Sequence, residues 1–270
     1  MNFIDHLNKT IQANNSLLCI GLDPLVNRFP ESIKQQSNSI FAFNKAIIDA
    51  TFNHVCAYKP QIAHYNAIGA EDQLEQTIDY IQKKYNIPVI LDSKRGDIGS
   101  TAAQYATEAF VRYHADAVTV NPYMGSDCIN EFTKYQHKGV IILCRTSNPN
   151  AGEIQDLPTG NNTTVYENVA RLCIKDWNAN NNILMVIGST NPEQLQKIRA
   201  LTDEMIFLLP GVGAQGADIE QCVSKGLNSK KSGIIINASR SIIYASEADD
   251  FAVAAQQAAI TLQNAINNYR

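Results

Sequence analysis

Eight short apolar runs alternating with longer amphipathic ones predict a single-domain α/β (β/α)8 TIM barrel over residues 1–270. Two further observations favour a closed barrel over a doubly wound open sheet. Polar or charged residues close nearly every run: Asp23, Lys59, Asp92, Lys94, Asn121, Ser147, Ser189 and Arg240. In a barrel these converge on one rim, whereas an open sheet spreads them along an edge. A glycine-rich loop in the seventh unit is also followed by an arginine in the eighth, where barrels of this kind often bind phosphate. The strands are expected at 17–23, 54–61, 88–94, 117–123, 139–147, 183–190, 205–213 and 233–240. Helical spacing covers 40–52, 72–85, 101–114, 164–177, 192–201 and 217–225. A last alanine-rich helix is expected over 247–266, its apolar positions three and four residues apart. Residues 148–162 hold Pro149, Gly152, Pro158 and Gly160 and read as a long functional loop.

Composition narrows the function classes. The chain is 45% hydrophobic with a formal net charge of −4, ample for one large core and without a basic block for nucleic acid. The adjacent lysine pairs, Lys83-Lys84 and Lys230-Lys231, read as solvated surface. Six cysteines form no CxxC pair, which suits free thiols in a reducing compartment. The first sixteen residues carry Asp5 and no long apolar run, so they do not read as a signal peptide. No stretch approaches the ~20 apolar residues of a membrane span. A cytoplasmic location, with neither membrane nor nucleic acid as partner, is expected.

The third run, Ile87-Pro88-Val89-Ile90-Leu91, leads into Asp92-Ser93-Lys94-Arg95-Gly96-Asp97-Ile98. Strand alternation puts Asp92 and Lys94 on one face, while Asp97 lies beyond on the loop. An Asp-x-Lys pair is often a solvated salt bridge worth under about 1 kcal/mol. At the C-terminal end of a barrel strand, two carboxylates beside an ammonium read as chemistry instead. Late in the chain, Leu209-Pro210-Gly211-Val212-Gly213-Ala214-Gln215-Gly216 follows the seventh run and opens a helix. Glycines let backbone N–H groups approach an anion, and Arg240 at the end of the eighth run can grip a phosphate bidentately. No Gly-Lys-Ser/Thr closes this loop, so it is not a Walker motif.

Taken in order, these motifs resemble the orotidine 5′-phosphate decarboxylase family, in its long bacterial branch. The resemblance spans nearly the whole chain. It rests on Gly21-Leu22-Asp23-Pro24, Tyr58-Lys59-Pro60-Gln61, the Asp92–Ile98 motif with Thr101, Arg145-Thr146-Ser147-Asn148-Pro149, the Pro210–Gly216 loop and Ala238-Ser239-Arg240-Ser241. It implies decarboxylation of orotidine 5′-monophosphate (OMP) to UMP without metal or cofactor. Lys59, Asp92, Lys94 and Asp97 resemble the family's charged array, with Lys94 as proton donor to C6 of the pyrimidine. By the same resemblance, Asp97 and Thr101 complete the partner's site in a homodimer, and Asp23 binds a ribose hydroxyl. Ser147 contacts the pyrimidine, and Gln215 and Arg240 the phosphate. Two departures, Ala217 after Gly216 and Ser239 before Arg240, affect only fine loop geometry.

Two rivals are weighed against this. A Mg2+-dependent phosphosugar lyase or synthase of the same barrel superfamily shares the Asp-x-Lys-x-x-Asp strand but typically places a metal-binding carboxylate on the second strand, where this chain has Lys59. A non-catalytic phosphate-binding barrel has no need of the full charged array. The five histidines lack metal-ligand spacing. His54 is expected to begin a strand, His64 to serve structure and Trp177 to fill a helix interface. Tyr123, at the end of the fourth strand, either borders the pocket or does not.

Overall fold

The computed structural model describes residues 1–211 and 218–270. Its eight parallel strands are Leu18–Leu22, Ala57–Pro60, Ile90–Arg95, Ala117–Val120, Gly139–Arg145, Ile183–Ile187, Phe207–Pro210 and Ile234–Ala238. Numbered one to eight in chain order, they neighbour one another as 2-1-8-7-6-5-4-3. Parallel bridges Tyr58–Val89 and Gln61–Asp92 join the second strand to the third and close the barrel. The first, sixth and eighth strands are buried along their whole length. That explains their near-continuous runs of Ile, Leu and Val, because a parallel sheet is covered on both faces.

The strands are shorter than their apolar runs, since several of the polar end residues belong to the loops. His54 begins no strand: it ends the 3-10 turn Phe52–His54, and its Nδ1 lies 2.9 Å from Gln263 Oε1. The last helix, Phe251–Asn267, starts later than expected because a turn, with Ser246 hydrogen-bonded to Asp250 at 2.5 Å, occupies the preceding residues. The helices after the second and third strands finish in π-helical turns, Ile81–Tyr85 and Glu108–Arg112.

An unexpected helix, Phe3–Asn14, precedes the first strand. Asn2 caps it by accepting the Asp5 N–H at 2.8 Å, and Asn15 ends it in the left-handed region at φ 43°. Its buried face holds Phe3, Leu7 and Ile11. It runs across the N-terminal mouth of the barrel, from His137 before the fifth strand, whose carbonyl accepts the Phe3 N–H at 2.9 Å, to Val55 before the second, whose carbonyl accepts from Asn14 Nδ2 at 2.8 Å. Gly139 opens the fifth strand because a Cβ there would strike the Phe3 ring and come within 2.8 Å of Ala117 Cβ. One mouth is therefore plugged by hydrocarbon, leaving the C-terminal mouth for chemistry.

The 148–162 stretch is not a bare loop. It contains the turn Pro149–Ala151, the helix Gly152–Gln155 and a hairpin of Pro158–Gly160 with Thr163–Thr164. Trp177 is buried against the core as expected. The two lysine pairs are exposed, with Lys83 bridged to Asp79 at 2.6 Å and Lys230 to Glu204 at 3.2 Å. All six cysteines are free and buried, and burial pushes the Cys19 thiol up to about 12. Among the described residues, no helix is long and apolar enough to cross a membrane.

Candidate active site

At the C-terminal mouth, a cavity of about 450 Å³ is lined by side chains from the second to seventh strands and the loop after the fifth. Lys59, Asp92, Lys94 and Thr119 form its charged wall, and Leu143, Val186, Leu208 and Pro210 its apolar wall. Thr146, Ser147, Asn148 and Gln155 edge it. A mostly apolar pocket with a cluster of fixed charges on one wall suits a flat ring carrying a charged substituent.

Asp92 is the centre of the charged wall. Its Oδ2 accepts from Lys59 Nζ at 2.7 Å, and its Oδ1 accepts from Lys94 Nζ at 2.6 Å and Thr119 Oγ1 at 2.9 Å. Burial pushes the Asp92 carboxyl up, but the charges of Lys59 and Lys94 outweigh this and hold it well below the usual carboxylate range. Burial likewise lowers Lys59, and the carboxylates of Asp92 and Asp23 more than reverse it, so this lysine stays charged. Lys59 and Asp92 are nearly sealed from water, whereas the Lys94 side chain is 46% exposed and free to meet a ligand.

Asp92 and Lys94 do meet, but not through plain strand alternation. The third strand slips register against the fourth between Leu91 and Arg95, and Lys94 sits in the left-handed region at φ 48°. A bulge of this kind re-aims a side chain, and φ above zero is uncommon for a residue with a Cβ.

Asp23 lies beyond the end of the first strand. Ser239 Oγ donates to its Oδ2 at 2.6 Å, and Gly21 makes room for this approach, since a Cβ there would come within 2.8 Å of Ser239 Cβ. Its Oδ1 is buried without a hydrogen-bond partner among the described residues. A buried acceptor of this kind calls for a donor from a ligand or water. Ser239, expected to affect only loop geometry, is thus the residue that orients Asp23.

Ser147 reaches the cavity because Gly188 has no side chain: a Cβ there would lie 2.7 Å from the Ser147 backbone. Sequence reasoning missed the parts that hold this segment. Arg145, buried, forks onto both oxygens of Asp156 at 2.8 and 2.9 Å. Gln155 Oε1 accepts the Thr146 N–H at 2.8 Å. The only hint was a basic residue just before the long loop and acidic ones within it.

Arg240 is exposed at the start of the short helix Arg240–Ile243. The seventh strand leaves through Gly211 at φ 105°, a conformation natural to glycine, but Gln215 lies outside the described residues. Among the described residues, Asp97 and Thr101 do not line the cavity of their own chain: Asp97 accepts the Ile98 N–H at 2.8 Å, and Thr101 is exposed. His64 serves structure, its Nδ1 lying 3.1 Å from the Pro24 carbonyl. Tyr123 is 85% exposed and does not line the cavity. Among the described residues, no group of three or more His, Cys, Asp or Glu side chains is arranged to hold a metal ion.

Residues 16–257 match the model of the orotidine 5′-phosphate decarboxylase / HUMPS family. The chain is 54% identical to an orotidine 5′-phosphate decarboxylase of Cellvibrio japonicus (strain Ueda107), over 99% of this chain and 98% of that protein. It is 52% identical to one from Azoarcus sp. (strain BH72), with both chains fully covered. The structure of Leishmania donovani OMP decarboxylase is similar at 36% identity and TM-score 0.87, covering 100% of this chain and 99% of that one. The chain therefore belongs to the orotidine 5′-phosphate decarboxylase / HUMPS family, on the branch of the carboxy-lyases that decarboxylate OMP.

Proposed function

We propose that the chain decarboxylates OMP to UMP without a cofactor, using Lys94 as proton donor, in sites shared across a homodimer. The family assignment supports the overall reaction, in pyrimidine biosynthesis. The observation that carries the finer reading is the Lys59–Asp92–Lys94 array on the wall of the cavity, with Lys94 alone of the three substantially exposed.

In this reading the pyrimidine lies along Leu143, Val186 and Leu208, its C6 carboxylate facing Asp92. The C6–carboxylate bond breaks and CO2 leaves. The electron pair left on C6 is stabilised by Lys94, whose Nζ then gives it a proton and is recharged from solvent. A unit-charge pair at 4 Å is worth about 4 kcal/mol at an effective dielectric of 20, while enzymes supply about 8–23 kcal/mol. One lysine is therefore insufficient, and the fixed array and binding of the distant phosphate contribute the rest. Asp23 Oδ1 suits a ribose hydroxyl, which would donate to it. Ser147 would contact the pyrimidine, and Gln215 and Arg240 the phosphate.

The shared site is supported by what surrounds Asp97 and Thr101. Ile98, Tyr123 and Met124 stand 53%, 85% and 48% exposed on the same rim, an apolar surface that a second copy would cover. Reciprocal loops of this kind require a twofold interface.

The test is turnover of OMP by purified protein in EDTA, followed by pyrimidine absorbance. Full activity is expected. Activity that vanishes with EDTA and returns with Mg2+ would favour the phosphosugar rival. For the shared site, inactive Asp97→Ala and Lys94→Ala chains are mixed. One site of each mixed dimer then has both residues intact, so activity should return. No recovery in dimers proven to be mixed would mean that Asp97 serves its own chain.

A further inference from the structure

Thr119 lies in the middle of the fourth strand, within Ala117-Val118-Thr119-Val120, and is 1% exposed. A hydroxyl has one proton and two lone pairs. Here the N–H groups of Ser93 and Lys94 both donate to Oγ1, at 3.0 and 2.9 Å, and occupy the lone pairs. The proton then has one destination, Asp92 Oδ1 at 2.9 Å. The hydroxyl is saturated and cannot turn.

We infer that Thr119 is a positioning residue for proton transfer: its hydroxyl locks the Ser93–Lys94 bulge and the Asp92 carboxylate together, and so aims the Lys94 ammonium. This rests on the reading of Lys94 as proton donor. Two successive backbone donors aimed at one oxygen belong to a chain that has left its ladder, and the register does slip here between Leu91 and Arg95. The side chain of the fourth strand replaces the missing carbonyl. It also fixes the N–H of the residue whose φ of 48° opposes its own Cβ. When Lys94 passes its proton to C6, Asp92 loses that cation from Oδ1. Thr119 still holds Oδ1 and Lys59 still holds Oδ2, so the carboxylate does not swing into the space left by CO2.

Thr119→Val keeps the shape and removes the hydroxyl, whereas Thr119→Ser keeps the hydroxyl. The measurements on the full chain are kcat and KM for OMP, Kd for UMP, and washout of a C6 deuteron from labelled UMP into water, which reports proton exchange at C6 without loss of CO2. Thr119→Val should lose about tenfold to a hundredfold in kcat and in washout, the cost of a small misplacement. KM and Kd should stay within about threefold, because only the transition state needs the aimed ammonium. Thr119→Ser should restore both rates. If the valine chain does not fold by circular dichroism, Thr119→Ala, with room for a water, carries the same readings. Normal kcat and washout in the hydroxyl-free chain, or a serine chain as slow as it, would overturn the inference. Lys94→Ala runs alongside: if it stays active, the reading of Lys94 fails, and if it is inactive while the hydroxyl-free chain is normal, only the role of Thr119 fails.

Discussion

Asp92, inside the barrel mouth, and Asp49, on the outer helix Ser39–Thr51, each gather two lysines and at least one hydroxyl. Asp49 Oδ1 accepts from Tyr80 at 2.5 Å, Tyr85 at 2.6 Å and Lys84 at 3.0 Å, and its Oδ2 accepts from Lys45 at 2.9 Å. Burial pushes this carboxyl up too, and the hydrogen bonds from Tyr80, Tyr85 and the lysines carry it well below the usual range. By charge and acidity alone the two sites are twins. They differ in what lies beside them. Around Asp49 the cations are already used: Lys45 and Lys84 both stand over the Tyr80 ring, at 5.3 and 4.9 Å. Phe52 and Tyr85 stack at 4.2 Å beside them, and the Lys45 pair is an ordinary i,i+4 contact on a regular helix. A cavity of about 320 Å³ lies on this side too, lined by Phe52, Lys84 and Tyr85, but Lys84 sits on helical backbone. Beside Asp92 the cavity of about 450 Å³ is faced by a lysine on a bulged backbone at φ 48°. A depressed carboxyl or an adjoining cavity therefore marks no more than an ion-pair network at the surface, and a cation re-aimed by a bulged backbone into the barrel mouth marks a reaction site.

The sharpest test of this contrast removes one cation from each network. Lys94→Ala should cost at least about 3 kcal/mol in kcat/KM, more than about a hundredfold, by analogy with removing an oxyanion donor. Lys84→Ala, which takes the same charge from Asp49, should leave kcat/KM unchanged in steady-state assays. Equal losses, or none in either chain, would mean that the two networks do not differ in function.

Neutralising the carboxylates should separate activity from stability. Asp92→Asn should abolish most turnover and also destabilise the fold by about 3 kcal/mol, because it leaves Lys59 buried without its counter-charge. Asp49→Asn should keep kcat and lose about 1–2 kcal/mol, since its bonds are charge-assisted but partly reached by water. Urea denaturation beside an activity assay reads both. An Asp49→Asn chain that loses turnover while staying folded would break the distinction.

What the sequence disclosed follows the same division. The eight strands, their closure and the residues Lys59, Asp92 and Lys94 were legible because alternating apolar runs and polar strand ends are one-dimensional patterns. The bulge was not, because nothing in Asp92-Ser93-Lys94 announces a positive φ at a lysine. Thr119 was hidden as a β-branched residue in an apolar strand, a place where threonine needs no special reason. The Arg145–Asp156 fork and Gln155 depend on how a fifteen-residue stretch folds back, which spacing does not encode. The helix Phe3–Asn14 is readable in principle, because Phe3, Leu7 and Ile11 are four residues apart, a spacing that excluding a signal peptide does not use.

The smallest effect lies on the acid limb of stability. Both carboxyls titrate lower in the folded chain than the ~3.9 of a free aspartate. Where the unfolded chain takes up a proton and the folded chain does not, lowering the pH favours unfolding. Their contribution is thus complete above about pH 4 and is lost as pH falls through the depressed folded values. Each such carboxyl adds at most about 1.4 kcal/mol per pH unit to the slope. Asp49→Asn removes one of them. Its unfolding free energy should start lower at neutral pH, then fall less steeply than the parent's below about pH 4, so that the two curves converge. Turnover corrected for the folded fraction should be the same in the two chains along this limb, because Asp49 does not face the cavity. Parallel acid limbs would show that Asp49 is not depressed when folded, and the likeness to Asp92 from which the contrast is drawn would then fail.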